Sequence, residues 1–117
     1  MIENGVFLDI SKKLRVRLVK NFMDIIVLSQ LRKSSSLSGY DIMSYIHGKL
    51  GLLISPGAVY SLLYRLERGG LVEGEWNHRK RVYTLTGKGD IYIKLIQRSS
   101  ERIPLFIMEI FGERTSA

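Results

Sequence analysis

The apolar pattern of this chain changes period at Gly69-Gly70, and that change dictates most of what it can fold into. Before it, Val59, Leu62, Leu63 and Leu66 recur at the i, i+3, i+4, i+7 spacing of one helix face. After it, Leu71-Val72-Glu73-Gly74-Glu75-Trp76 and Arg81-Val82-Tyr83-Thr84-Leu85-Thr86 read as alternating strands, with Asn77-His78-Arg79-Lys80 as the turn between them. A lone hairpin is marginal in water, so these strands must lean on helices.

The helix before the switch has clear ends. Ser55 suits the N-cap, Pro56 suits the first helical position, and Gly69-Gly70 suits the stop. Its outer face is small at the N-terminal end, with Gly57, Ala58 and Ser61, and aromatic and cationic further on, with Tyr60, Tyr64, Arg65 and Arg68. Such a face can donate to phosphates or base edges. It equally fits an ordinary surface helix whose tyrosines cover the edge of the core.

Three further helices are expected. Lys12 to Lys33 forms the first, basic in its first half and apolar nearly all round from Phe22 to Leu28; residues 1–11 precede it as a partly ordered arm. After a Ser34-Ser35-Ser36 loop, Leu37-Ser38-Gly39-Tyr40-Asp41 opens the second, with Ser38 and Asp41 spaced as a capping box, Ile42, Tyr45 and Ile46 inward, and Gly48 to Gly51 as the end. Tyr40 is expected to pack in the core, and Trp76 to pack the hairpin onto the body. The last helix runs from Thr86-Gly87 to about Phe111, with a kink or break near Ser99 to Ile103 imposed by Pro104 and Ser100 as a cap for the restart. Gly112 to Ala117 are expected to fray. The chain thus divides into an arm (1–11), a helix-and-hairpin domain (12–86) and a C-terminal helix with its tail (87–117).

Composition narrows the function. The 117 residues include no cysteine, which removes disulfides, thiolate metal sites and a cysteine nucleophile. His47 and His78 lie on different elements, and no nucleophile–base set can be assembled, so neither an enzyme nor a metal or cofactor is expected. No apolar run approaches the roughly 20 residues of a membrane span, no signal peptide pattern opens the chain, and a cytoplasmic protein is the expectation. The net charge is +7, concentrated at Lys12, Lys13, Arg15, Arg17 and Lys20 and again at His78-Arg79-Lys80-Arg81. Clusters of this kind suit a polyanion, with an anionic membrane surface or a merely solvated basic face as the alternatives.

Helix, helix, helix, strand, turn, strand, helix is the order of a winged helix-turn-helix: an α+β fold, mainly α, with three helices, a two-stranded wing and a further C-terminal helix. The residues sharpen this. Ser38-Gly39-Tyr40-Asp41-Ile42, Ser55-Pro56-Gly57-Ala58-Val59-Tyr60, Leu63-Tyr64-Arg65-Leu66-Glu67-Arg68-Gly69-Gly70-Leu71 and Arg81-Val82-Tyr83-Thr84-Leu85-Thr86-Gly87-Lys88-Gly89 stand in the order found in PadR-like transcriptional regulators of the compact type with one C-terminal helix, which this chain resembles. The resemblance covers residues 22–90.

The resemblance implies a homodimeric, sequence-specific DNA-binding regulator, a repressor, that presents two recognition helices to a pseudo-palindromic operator. By matching position, Ser55, Gly57, Ala58, Tyr60, Ser61 and Tyr64 face double-stranded DNA, Ser61 and Tyr64 toward bases, with Arg65 and Tyr60 at phosphates. His78, Arg79, Lys80 and Arg81 reach the backbone or minor groove from the wing tip. Arg65 has the alternative of an internal carboxylate, and Arg81 that of Glu73 or Glu75 across the hairpin. The dimer falls to Tyr92, Leu95, Ile96, Ile103, Phe106, Ile107 and Ile110, a stripe longer than a small domain needs for its own core. A small-molecule effector has no support, because the last helix offers only Tyr92, Phe106 and Phe111 and no tryptophan. The competing class is a winged-helix protein-interaction module, or a protein that coats nucleic acid without sequence preference.

Overall fold

The computed structural model describes residues 2–112. Six helices and a small sheet follow in the order α1 (Ile2–Asn21), α2 (Met23–Lys33), β1 (Leu37–Ser38), α3 (Gly39–Leu50), α4 (Pro56–Arg68), β2 (Val72–Asn77), β3 (Lys80–Leu85), α5 (Gly87–Arg98), a 3-10 turn (Ser100–Arg102) and α6 (Ile103–Phe111). The sheet is antiparallel with strand order β1-β3-β2. This is the winged helix-turn-helix order, with α2, α3 and α4 as its three helices and β2–β3 as the wing.

The core assembles where the sequence places its apolar stripes. Val59, Leu62, Leu63 and Leu66 of α4 are buried against Val27, Leu28 and Leu31 of α2, Ile42 and Ile46 of α3, and Val72 and Tyr83 of the wing. Each fully buried aliphatic side chain contributes about 1.5–3 kcal/mol, so α4 is fixed by this stripe and not by its intrinsic helix preference. The starts of the helices are specified locally. Ser55 Oγ accepts from the Ala58 N–H at 3.2 Å. At α3, the Asp41 N–H donates to Ser38 Oγ at 3.1 Å and the Ser38 N–H donates to Asp41 Oδ2 at 2.9 Å, a closed capping box. Thr86 caps α5 by accepting from the Gly89 N–H at 3.0 Å, and its hydroxyl also donates to the Gly70 carbonyl at 2.6 Å. That double use joins the end of α4 to the start of α5. It requires glycine at 89, where a Cβ would run into the Leu71 carbonyl oxygen.

Several expectations are corrected. The arm is helical: α1 begins at Ile2, since nothing between residues 2 and 21 breaks a helix once it is nucleated. The single helix over 12–33 is two. Phe22 leaves helical geometry (φ −111°, ψ 21°), where the Asn21 side chain donates to the Arg17 carbonyl and Asp24 Oδ1 accepts from the Ile25 N–H. Side-chain bonds of this kind compete with the helical ladder. The Ser34-Ser35-Ser36 loop delivers Leu37 and Ser38 alongside Tyr83 and Val82, so β3 gains a second neighbour and the sheet a third strand. The C-terminal helix breaks as expected, but Ser100 caps nothing: the interruption is a 3-10 turn, and Pro104 sits in the first turn of α6 where its missing N–H costs nothing. Ile93, absent from the expected stripe, is the buried residue that seats α5, together with Gly89. Tyr40 and Trp76 are both exposed, because Ile42 and Ile46 fill the inner face of α3 while Val72 and Tyr83 fill the base of the wing. Of the expected tail, residues 113–117 lie outside the described residues.

Asp41 ties the capping box to pH. Chiefly through the Ser38 N–H, its carboxyl is held below the ordinary value of 3.8. A lowered folded value stabilises the fold above the unfolded value, and that stabilisation is lost as pH falls through the folded one. Asp41→Ala should therefore cost about 1 kcal/mol at pH 7. In urea titrations at successive pH values the gap from the parent should close below the ordinary 3.8.

Candidate nucleic-acid interface

α4 turns Ser55, Gly57, Ala58, Tyr60, Ser61, Tyr64, Arg65 and Arg68 to solvent, because the opposite stripe is committed to the core. Its first turn is open and small, with nothing near Gly57 that a side chain would meet. Tyr60 is seated by its neighbour: a Cβ on Gly39 would lie 2.7 Å from the Tyr60 ring, so only glycine lets that ring rest on the start of α3. Among the described residues Arg65 has no carboxylate partner. Its Nη1 donates to Ser61 Oγ at 3.0 Å, a neutral partner on the same face. The Arg68 guanidinium lies 5.6 Å from the Tyr64 ring centroid, close enough for a cation–π contact. A groove runs beside this face, lined by Lys20 and Asp24 across from Ser55, Ala58, Ser61 and Arg65.

The wing is locked to α4 by one carboxylate. Glu67 accepts from Arg81 Nη2 at 3.0 Å and from the Gly74 N–H at 3.2 Å. The Arg81 guanidinium lies over Gly74, 5.6 Å from the Trp76 ring and 5.8 Å from the Tyr83 ring, and its bond to Glu67 raises its proton affinity further. Arg81 is thus half-buried and inward, paired with neither Glu73 nor Glu75, and it positions the wing. Lys80 extends toward Asp41 at 4.0 Å, which tethers the tip to the start of α3. His78 and Arg79 form the two-residue tip, with His78 in the left-handed region at φ 59°. The structure therefore brings Ser55, Gly57, Ala58, Tyr60, Ser61, Tyr64 and Arg65 onto one exposed face, with His78, Arg79 and Lys80 exposed at the wing tip.

The residue that holds the wing, Glu67, escaped sequence reasoning. Its signal was present: a carboxylate on the exposed margin of an apolar stripe, just before the helix ends. The partner could not be read, because hairpin alternation offered two nearer carboxylates. Among the described residues no His, Asp and Glu cluster could hold a metal, and no helix is long and apolar enough to cross a membrane.

Comparison with known proteins places this geometry. The sequence profile of the transcriptional regulator PadR-like family matches residues 27–95. A PadR family transcriptional regulator from Eggerthella lenta DSM 2243 superposes with a TM-score of 0.74 at 22% identity, over 94% of this chain and 99% of that one. A transcriptional regulator from Clostridium thermocellum superposes with a TM-score of 0.70 at 24% identity, over 82% and 96%. Bacillus subtilis PadR in complex with operator DNA gives a TM-score of 0.57 at 30% identity, over 62% of this chain and 44% of that one. No curated protein sequence matches the chain significantly.

Removing the Glu67 carboxylate should free the wing without unfolding the helices. In Glu67→Ala, hydrogen exchange at Gly74 and neighbouring wing amides should accelerate about tenfold, the equivalent of one charge-assisted hydrogen bond, while amides of α2 and α3 keep their protection.

Proposed function

The chain belongs to the PadR-like family of transcriptional regulators, and from that membership we propose that it acts as a homodimeric, sequence-specific DNA-binding repressor. The observation that carries the proposal is the exposed face of α4. Ser55, Gly57 and Ala58 give a close-fitting end, and Ser61, Tyr64 and Arg65 follow with donors, on a helix held rigidly by its buried stripe. The relative solved with operator DNA supports the same use of the fold. In this reading Ser61 and Tyr64 approach base edges in the major groove, while Tyr60 and Arg65 hold phosphates. His78, Arg79 and Lys80 at the wing tip bear on the neighbouring backbone; Arg81 serves by keeping the wing in place.

The second half of the proposal is a division of labour between residues 12–86, which bind DNA, and 87–117, which pair two subunits. What supports it is surface chemistry. α6 has no buried residue although it is almost wholly apolar, and Phe106 and Ile110 stand exposed on it together with Leu105, Met108 and Phe111. Tyr92 and Leu95 continue the exposed stripe, with Ile103 and Ile107 half-buried along it, whereas Ile96 packs partly against the core. Val6, Phe7, Leu8 and Ile10 give α1 a second exposed apolar patch, which suits packing of one subunit's α1 on its partner's last helix. Contiguous apolar surface on this scale marks an association site. A two-fold pair sets its recognition helices about 34 Å apart, one turn of DNA, which is why the operator is pseudo-palindromic. A protein at its operator excludes other proteins from that DNA, which is repression in its simplest form.

Binding to the DNA upstream of the chain's own gene, in the presence of excess unrelated DNA, tests the core of this. Retained binding supports sequence-specific regulation, and loss of all binding under competition favours a non-specific or protein-binding role. Tyr64→Ala and Arg65→Ala should each weaken operator binding by about tenfold, whereas unchanged affinity in both would remove α4 from the contact. Neutralising Arg79 and Lys80 together should lower the slope of log affinity against log salt by about 2, one for each phosphate no longer neutralised. Ile110→Asp should shift the protein from dimer to monomer in sedimentation equilibrium, with the helical circular dichroism retained.

A further inference from the structure

Trp76 is the sole tryptophan of the chain, and it is 69% exposed. An indole left this open calls for an explanation, and its place in the hairpin supplies one. Side chains alternate along a strand, so Val72, Gly74 and Trp76 share one face of β2 while Glu73 and Glu75 take the other. The register sets Gly74 against Tyr83 and Trp76 against Arg81, so those two lie on the first face as well. Val72 and Tyr83 are buried in the core and Arg81 bonds Glu67 of α4, so this face is the one turned toward α4. Trp76 continues that face beyond the point where the core ends.

What stands across from it is equally defined. Tyr60, Tyr64 and Glu67 follow one another at i, i+4 and i+7 on α4, and Glu67 is the residue pinned to the wing. From Gly74, β2 runs on to a tip whose Lys80 reaches Asp41, beside the glycine on which Tyr60 rests. The exposed indole therefore stands on the wing face turned toward α4, and Tyr60 and Tyr64 stand on the same side of α4 as Glu67. The charges around these side chains are sorted. Arg68 lies over Tyr64, Arg81 lies over Trp76, and Arg79 stands at the tip. Among the described carboxylates nearby, Glu67 is paired with Arg81 and Asp41 faces Lys80, while Glu73 and Glu75 lie on the other face of β2.

We propose that Trp76 is a DNA contact: its ring lies against the sugar-phosphate strand that seats between α4 and the wing, with its indole N–H available to a phosphate oxygen. This rests on the DNA-binding reading above and adds to it a residue that the basic-tip pattern does not contain. An indole joins a large apolar body to a single donor, which matches a deoxyribose flanked by phosphates. Contact with the strand's sugar and backbone carries no base preference, so Trp76 contributes affinity and register while α4 reads sequence. The Arg81 cation over the ring fixes the indole's orientation, and the same guanidinium fixes the wing.

The test uses the full chain. With one tryptophan, intrinsic emission reports on Trp76 alone. A fluorescein-labelled duplex, selected from a randomised pool by rounds of binding to the protein, reports binding independently through its anisotropy. The expected result is that tryptophan emission is quenched over the same concentration range in which anisotropy rises. Trp76→Ala should weaken binding about tenfold, and Trp76→Phe should restore most of the affinity. Matching circular dichroism and sedimentation of the variants separates this from misfolding. Saturated anisotropy with unchanged tryptophan emission, and Trp76→Ala within twofold of the parent, overturns the contact and leaves DNA binding standing. Failure of every duplex to raise anisotropy overturns both. A change of emission on dilution without DNA, in step with subunit dissociation, assigns the indole to the contact between copies and overturns the proposal.

Discussion

Everything the wing does depends on Glu67. Its carboxylate accepts from the Gly74 N–H of one strand and the Arg81 guanidinium of the other, so a single side chain on α4 holds both strands of the hairpin. A two-stranded ribbon has little stability of its own. Docked at Glu67, braced by β1 at its other edge and tethered by Lys80 to Asp41, it becomes a fixed arm beside α4. The cost of desolvating the carboxylate is offset because it bonds a cation and a backbone donor together. Arg81 carries a charge that composition would assign to a polyanion, yet it is paired with Glu67 inside the protein.

The same double use of side chains recurs at the base of the hairpin. There Thr86 caps α5 and bonds the Gly70 carbonyl, while the Lys88 ammonium donates to the Gly69 carbonyl at 2.9 Å. The end of α4 is thereby fastened to the first turn of the helix that leads to α6. If two subunits pair through α6, the spacing of their α4 helices is transmitted through this junction, and Gly89, which admits the Leu71 carbonyl, is part of that geometry. In the proposed dimer, rigidity between α4 and α6 is what a fixed half-site spacing demands.

Much of the fold was legible from local chemistry. Ser38 with Asp41, Ser55 with Pro56, and Gly70 after α4 each act on backbone groups within a few residues, so their effects hold whatever the rest of the chain does. The apolar stripe of α4 likewise needed no knowledge of its partner to be recognised. The outward placement of Ser61, Tyr64 and Arg65 followed from it by geometry alone, as the residues left over on a helix whose other side is buried.

What pairs with what across the fold was not legible. Arg81 had Glu73 and Glu75 close in sequence and took Glu67; Trp76 had an apolar body to pack and stayed in solvent; Leu37 and Ser38 read as the lead-in to a helix and became a strand. Each of these outcomes depends on which backbone or side chain arrives alongside, and periodicity carries no information about that. The junction at Phe22 has the same origin, since side-chain bonds from Asn21 and Asp24 compete there with a ladder the pattern alone would continue. The sequence by itself determined where helices start and stop and which of their faces are buried, because capping and amphipathic periodicity are properties of neighbours along the chain. Only the tertiary structure decided which charges remain free to meet a partner and which are committed to holding the wing, because that depends on distances between residues the chain order keeps apart.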